Sequence, residues 1–142
     1  IGMKKVILIG RSECGKTTLK QVLSGEKRRY EKTQAVSYAD WIIDTPGEYI
    51  QTKMLGGALA IYSYEADIIA LMASAIEPFT LFAPNIVSMA SREVIGIVTQ
   101  IDKENAKIKQ AVRWLELAGC KKIFKVSSVP GEGINELVSY LK

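Results

Sequence analysis

Eight consecutive residues constrain this chain more than any others: Gly10-Arg11-Ser12-Glu13-Cys14-Gly15-Lys16-Thr17 spells G-x-x-x-x-G-K-[ST] in full. Before it stands Val6-Ile7-Leu8-Ile9, a continuous apolar run of the kind that forms a strand buried on both faces of a parallel sheet. After it, Lys16 to Leu23 reads as a helix with Ser24-Gly25 as its stop. Strand, glycine-bearing loop and helix in that order make an anion cradle. The glycines let backbone N–H groups turn inward on a phosphate, the helix N-terminus adds partial positive charge, and Lys16 reaches the outer oxygens. Thr17 offers its hydroxyl to Mg2+, and Thr18 stands behind it in the first helical turn. The plain alternative is a glycine-rich turn with a solvated lysine and a capping threonine, and the flanking strand and helix argue against it. Cys14 reads as a small packing residue in the loop rather than a reactive thiol.

Composition narrows the chemistry further. With 142 residues, 48% hydrophobic and 24% charged, the chain has the length of one ordinary domain. Ile1-Gly2 reads as a cloning remnant before a natural start at Met3, leaving 3–142 as the domain. The longest apolar run, the nine residues between Asp67 and Glu77, is too short to span a bilayer as a helix. The absence of His excludes Ser-His-Asp triads, Cys-His dyads and His-ligated zinc. Cys14 and Cys120 are too far apart for a paired metal spacing and too few for a secreted disulfide scaffold, which suggests a reducing interior. A net charge of +4 permits anion binding but is modest for a nucleic-acid binder.

Four more strands follow from short continuous apolar runs: Trp41 to Ile43, Ile68 to Met72, Val94 to Val98 and Lys122 to Val126. Between Asp102 and Gly119, the positions Ile108, Ala111, Val112 and Leu115 make one helical face, with Gly119 placed as a C-terminal cap. Ile134, Leu137, Val138 and Leu141 repeat that spacing. Alternating strands and helices imply a three-layer α/β fold around a mostly parallel sheet of about five to six strands, with right-handed crossovers. Ser74 to Arg92, interrupted by Pro78 and Pro84, reads as irregular with a short helix. It is either a functional segment or a partly buried crossover.

Asp44-Thr45-Pro46-Gly47 ends the second strand in a breaker-rich loop. Alone it is an ordinary turn with a side-chain-capped start. Partnered with the phosphate loop, Asp44 would hold Mg2+ through water, and the Gly47 N–H would meet the γ-phosphate.

These residues, with Thr99-Gln100-Ile101-Asp102 and Ser127-Ser128, resemble the ordered motifs of Ras-like P-loop GTPases over essentially the whole chain. The opening Lys4 to Ser12, Lys32-Thr33-Gln34 and Asp44-Thr45-Pro46-Gly47-Glu48-Tyr49 look like the ethanolamine/propanediol utilisation EutP/PduV family. That resemblance implies a small P-loop NTPase using Mg2+ with GTP and GDP, or with ATP. It also implies a bacterial cytoplasmic setting, with a microcompartment shell or pathway enzyme as partner. It makes Thr33 the candidate switch threonine on Mg2+ and the γ-phosphate, in place of a plain surface threonine. It puts Thr99, Asp102, Ser127 and Ser128 at the base, although a serine-rich turn after a strand is common. Lys27-Arg28-Arg29 reads as a solvated basic run. Only 15 residues separate Gly25 from Trp41, so the extra strand of the Ras-like pattern has Ala35 to Ala39 as its remaining candidate.

Two positions depart from the pattern. Gln100 stands where a lysine packs along the guanine plane, which leaves guanine against adenine open. Glu48 stands where a glutamine orients the attacking water, and a carboxylate beside an anionic γ-phosphate slows hydrolysis. Arg11 is near the phosphate loop, but a partner's arginine would serve as well. Three functions follow. One is a slow GTPase-type switch in which 26–36 and 47–54 respond to the γ-phosphate, with Lys16, Thr33 and Glu48 acting at the reacting phosphate. Another is an ATP-dependent acetate kinase, an activity assigned to members of the family, for which Ser74 to Arg92 or a partner subunit is the candidate cover. The third is a docking module stabilised by nucleotide.

Overall fold

The computed structural model describes residues 4–10, 18–19, 21–23, 64, 66–80, 82–127 and 133–141, and the backbone of 42–44. Five strands are described: β1 (Val6–Ile9), β2 (Ile42–Asp44), β3 (Ile68–Ser74), β4 (Glu93–Thr99) and β5 (Ile123–Lys125). They form one sheet in the order β2-β1-β3-β4-β5, and every pair is parallel. All strands therefore end at one common edge, the carboxyl edge. The candidate strand at Ala35 to Ala39 lies outside the described residues.

Continuous apolar runs make these strands because both faces of the sheet are covered. Val6 and Leu8 point into one core with Leu19, Leu23, Ile68, Ile97, Leu137 and Leu141. Ile7 and Ile9 point into the other with Ile69, Leu71, Val98, Ala111 and Leu115. Side chains alternate between faces along a strand, so a strand buried on both sides needs apolar residues at odd and even positions alike. The first face carries the helical residues 18–19 and 21–23 and helix α2 (Ile134–Leu141). The second carries helix α1 (Ile108–Ala118) and the 3-10 turn at Ile86–Met89. A fully buried Leu or Ile contributes roughly 1.5–3 kcal/mol in such a core.

Helix α1 uses the spacing read from Ile108 to Leu115 and ends where Gly119 stands. Gly119 has φ 113, and its N–H donates to the Glu116 carbonyl while the Cys120 N–H donates to Leu115. That pair of bonds is the Schellman stop, which needs a left-handed residue and so favours glycine. The helix begins at Ile108, and the Lys107 N–H before it, which has no acceptor within the helix, donates to the Ala75 carbonyl at 2.7 Å. The segment from Ser74 to Arg92 holds one short helix, as its prolines imply. Ser74 itself is the last residue of β3, which runs two residues beyond the expected Met72.

Candidate functional site

On the phosphate side, β1 stops at Ile9 and Gly10 follows it, buried. Helical structure is present at Thr18, whose side chain is exposed, and Leu19 is fully buried. Strand and helix thus flank the G-x-x-x-x-G-K-[ST] stretch, the context that motif requires. The loop residues Arg11, Ser12, Glu13, Cys14, Gly15, Lys16 and Thr17 lie outside the described residues, as do Thr33, Gly47, Glu48 and Ser128. Asp44 closes β2 in register with Leu8, so its backbone reaches the carboxyl edge two residues short of Gly10 on the adjacent strand. The chain runs from β1 outward to β2 and then back across to β3, so the connections reverse direction beside β1. Open α/β sheets bind ligands outside the carboxyl ends of the strands at such a reversal.

The ends of β3, β4 and β5 are more fully described. Ser74 ends β3 directly opposite Thr99, which ends β4, and both are buried. The Ala75 N–H donates to the Thr99 carbonyl at 2.9 Å. Gln100 then takes a left-handed conformation with φ 59. Its carbonyl accepts from the Lys103 N–H at 3.2 Å, closing a turn whose third residue is Asp102. A second turn, Ala106 N–H to the Lys103 carbonyl at 3.1 Å, leads to the Lys107 bond with Ala75. Ala75 therefore fastens both ends of the Asp102 loop to β3, and the loop presents Asp102 as an exposed side chain. Beyond β5, Val126 donates to the Val98 carbonyl at 2.8 Å and Ser127 is fully buried. The structure thus brings Thr99, Asp102 and Ser127 to one end of neighbouring strands.

Ser74 and Glu77 escaped the sequence reading. The Ser74 hydroxyl donates to the Gln100 side-chain oxygen and accepts from the Ile76 N–H at 3.2 Å. Glu77 Oε1 accepts from the Ser74 N–H at 3.1 Å. The signal was a single polar residue inside an otherwise apolar run, visible only as a strand end once the strand is seen to reach it. Beside this clasp lies a pocket of about 380 Å3 lined by Ala75, Glu77, Pro78, Asn105, Lys107 and Gln110.

The segment read as a candidate cover, Ser74 to Arg92, divides in two: its start belongs to this clasp and its later part packs elsewhere. Phe82 is buried in the second core, and the Asn85 N–H donates to the Leu117 carbonyl at 2.8 Å near the end of α1. Residues 82–90 are thereby held along the face of the sheet rather than over its carboxyl edge. Cys120 is buried behind α1, and burial pushes its thiol up to about 12, which removes it from thiolate chemistry at neutral pH. Among the described residues no cluster of three or more Cys, Asp or Glu is placed to hold a metal, and no helix is long and apolar enough to cross a membrane. The Mg2+ donor set read from the sequence, Thr17, Thr33 and Asp44, consists of oxygens alone, the ligand type Mg2+ prefers. Asp44, whose backbone is described, stands at the correct edge.

Among solved structures, translation elongation factor SelB from Methanococcus maripaludis, in complex with the GTP analogue GppNHp, superposes with a TM-score of 0.65 at 16% identity. The match covers 99% of this chain and 33% of that one, so this chain spans about a third of the elongation factor's length. A "probable GTP-binding protein engB" superposes with a TM-score of 0.63 at 20% identity over 93% of each chain. The fold is that of the P-loop GTPases. In sequence, the propanediol utilization protein PduV of Citrobacter freundii is 41% identical over 140 residues, 98% of this chain and 93% of that protein. The "Probable acetate kinase EutP" of Escherichia coli strain K12 is 28% identical over 142 residues, 98% of this chain and 89% of that protein. The family model described as ethanolamine utilisation - propanediol utilisation matches residues 3–142, and the chain belongs to that family.

Proposed function

We propose that the carboxyl edge binds a purine nucleoside triphosphate with Mg2+ and that the protein is a slow GTPase-type switch serving ethanolamine or propanediol breakdown. The observation that carries this reading is the G-x-x-x-x-G-K-T stretch set between β1 and a helix, beside the point where the connections reverse. Backbone N–H groups from Gly10 to Thr18 cradle the phosphates, and Lys16 offsets charge on the β and γ oxygens. Thr17, Thr33 and Asp44 hold Mg2+, which neutralises charge on the phosphates when bound. Gly47 senses the γ-phosphate. Glu48, anionic where an amide would orient water, keeps turnover slow until a partner supplies a cation. Asp102 reads the base from its turn, with Thr99, Ser127 and Ser128 shaping that end. The setting is the bacterial cytoplasm, at a microcompartment shell or a pathway enzyme.

Calorimetric titration with non-hydrolysable GTP and ATP analogues in Mg2+ tests this. Lys16→Ala is expected to weaken triphosphate binding about 10- to 100-fold, the worth of one charged hydrogen-bonding group. Equal affinity in the variant rejects the site.

An acetate kinase is the second reading, favoured by the name of the EutP relatives. Lys16 would then steady the phosphoryl group during transfer from ATP to a carboxylate. Residues 82–90 are tied to α1, which leaves the start of the Ser74 to Arg92 segment or a partner subunit as the candidate cover against water. Acetate-dependent formation of acetyl phosphate that Lys16→Ala abolishes would put the kinase in place of the switch. Nucleotide binding with neither turnover nor a change in 26–36 and 47–54 between di- and triphosphate would favour the docking module.

A further inference from the structure

The nucleotide reading leaves open what makes Asp102 selective when Gln100 replaces the expected lysine. Resting on that reading, we propose that Ser74 is a positioning residue for base discrimination: its hydroxyl anchors Gln100 and so holds the Asp102 turn in the orientation that reads guanine.

Gln100 is one of two described non-glycine residues with positive φ. That conformation is disfavoured for an L residue and persists where surrounding contacts hold it. Here they do. The Ser74 hydroxyl donates to the Gln100 side chain, the Thr99 carbonyl just before it accepts from Ala75, and the Gln100 carbonyl closes the turn with Lys103. Ser74 is itself held, fully buried, by Glu77 on its N–H and by the Ile76 N–H on its oxygen. The orientation of Asp102 thus depends on the left-handed residue two positions before it, whose side chain is held by the Ser74 hydroxyl.

Orientation matters because guanine presents two donors, the N1 and amino hydrogens, that a carboxylate can accept together. Adenine has an unprotonated N1 there, whose lone pair repels the same carboxylate. A misaligned carboxylate loses the paired bonds and the repulsion at once, so discrimination falls faster than overall affinity. The phosphates, bound at β1, are indifferent to the change.

The test compares GDP and ADP affinities, with Mg2+ and with inorganic tripolyphosphate as a base-free probe, in wild type, Ser74→Ala, Ser74→Thr and Gln100→Gly. The glycine variant removes the same bond without burdening the core, and the wide backbone freedom of glycine leaves the turn with no side-chain anchor to fix it. Expected is a tenfold fall in the GDP-to-ADP affinity ratio in both Ser74→Ala and Gln100→Gly, unchanged tripolyphosphate affinity, and recovery in Ser74→Thr. A ratio unchanged within twofold in Ser74→Ala or Gln100→Gly overturns the positioning role alone. So does a wild-type ratio near one. Wild type that binds neither nucleotide overturns the nucleotide reading as well, which separates the two failures.

Discussion

The two edges of this parallel sheet are built differently. At the amino edge, bonds run between strand starts and helix ends and close the structure. The Lys5 N–H donates to the Asp67 carboxylate at 2.8 Å while Asp67 and Ile68 donate back to the Lys5 carbonyl. Lys4 donates to Leu141 at the end of α2, and the Tyr140 hydroxyl donates to Glu93. Tyr140 stacks at 5.2 Å on Phe124, with the Lys4 and Lys122 ammonium groups each 5.7 Å from its ring. At the carboxyl edge stand buried hydroxyls, a left-handed glutamine and an exposed aspartate on a turn. The first edge uses its polar groups to join strand starts to one another and to a helix end. The second gathers polar groups from the ends of three neighbouring strands, which is the arrangement a ligand needs. A parallel sheet separates the two roles because every crossover helix begins at one edge and ends at the other.

The largest expected effect falls on a carboxyl-edge residue whose role is purely geometric. Gly133 has φ 75, and a Cβ there would lie 2.1 Å from the Lys125 carbonyl oxygen. Gly133→Ala is expected to cost about 3 kcal/mol in urea denaturation, since the obstacle is backbone and cannot swing aside. A loss below about 1 kcal/mol would mean that the start of α2 shifts freely and that this edge is less rigid than described.

An intermediate effect is expected near the amino edge at Cys120. The folded thiol keeps its proton to about 12, while the unfolded chain releases it near the ordinary value of 9.0. Above pH 9 the unfolded state therefore binds fewer protons, so stability falls as pH rises toward 12. The slope is about 1.4 kcal/mol per pH unit. Wild type should lose stability faster than Cys120→Ala between pH 9 and 11, and parallel curves would show the thiol to be solvated.

Smallest is Asp67→Ala, which removes one exposed bond and should cost about 1 kcal/mol. Its value lies in a second readout. Nucleotide affinity should be unchanged, and a shift beyond twofold would break the division between the edges.

Much of this was legible in advance. The strands at Val6, Ile68, Val94 and Ile123 follow from apolar runs, and α1 and α2 follow from their i, i+3, i+4, i+7 spacing. Both signals are local consequences of burial on two faces or on one. Strand ends were less legible: β3 reaches Ser74 and β4 reaches Thr99, because a partner strand can extend pairing through a polar residue that local pattern treats as a stop. The Ser74 anchor was invisible, as the Gln100 side chain it holds lies 26 residues away and their meeting depends on register.

The sequence by itself determined the cradle motif, the α/β alternation, the chemistry excluded by lacking histidine and the residues to ask about at the base. Those are properties of residue type and spacing, which survive in any conformation. Only the tertiary structure decided the strand order, the reversal beside β1, the return of 82–90 to the end of α1, and the fastening of the Asp102 loop by Ser74 and Ala75. Each of these depends on which groups distant in sequence come within hydrogen-bonding reach of one another, and that is set by strand register and by how two helical layers pack on the sheet.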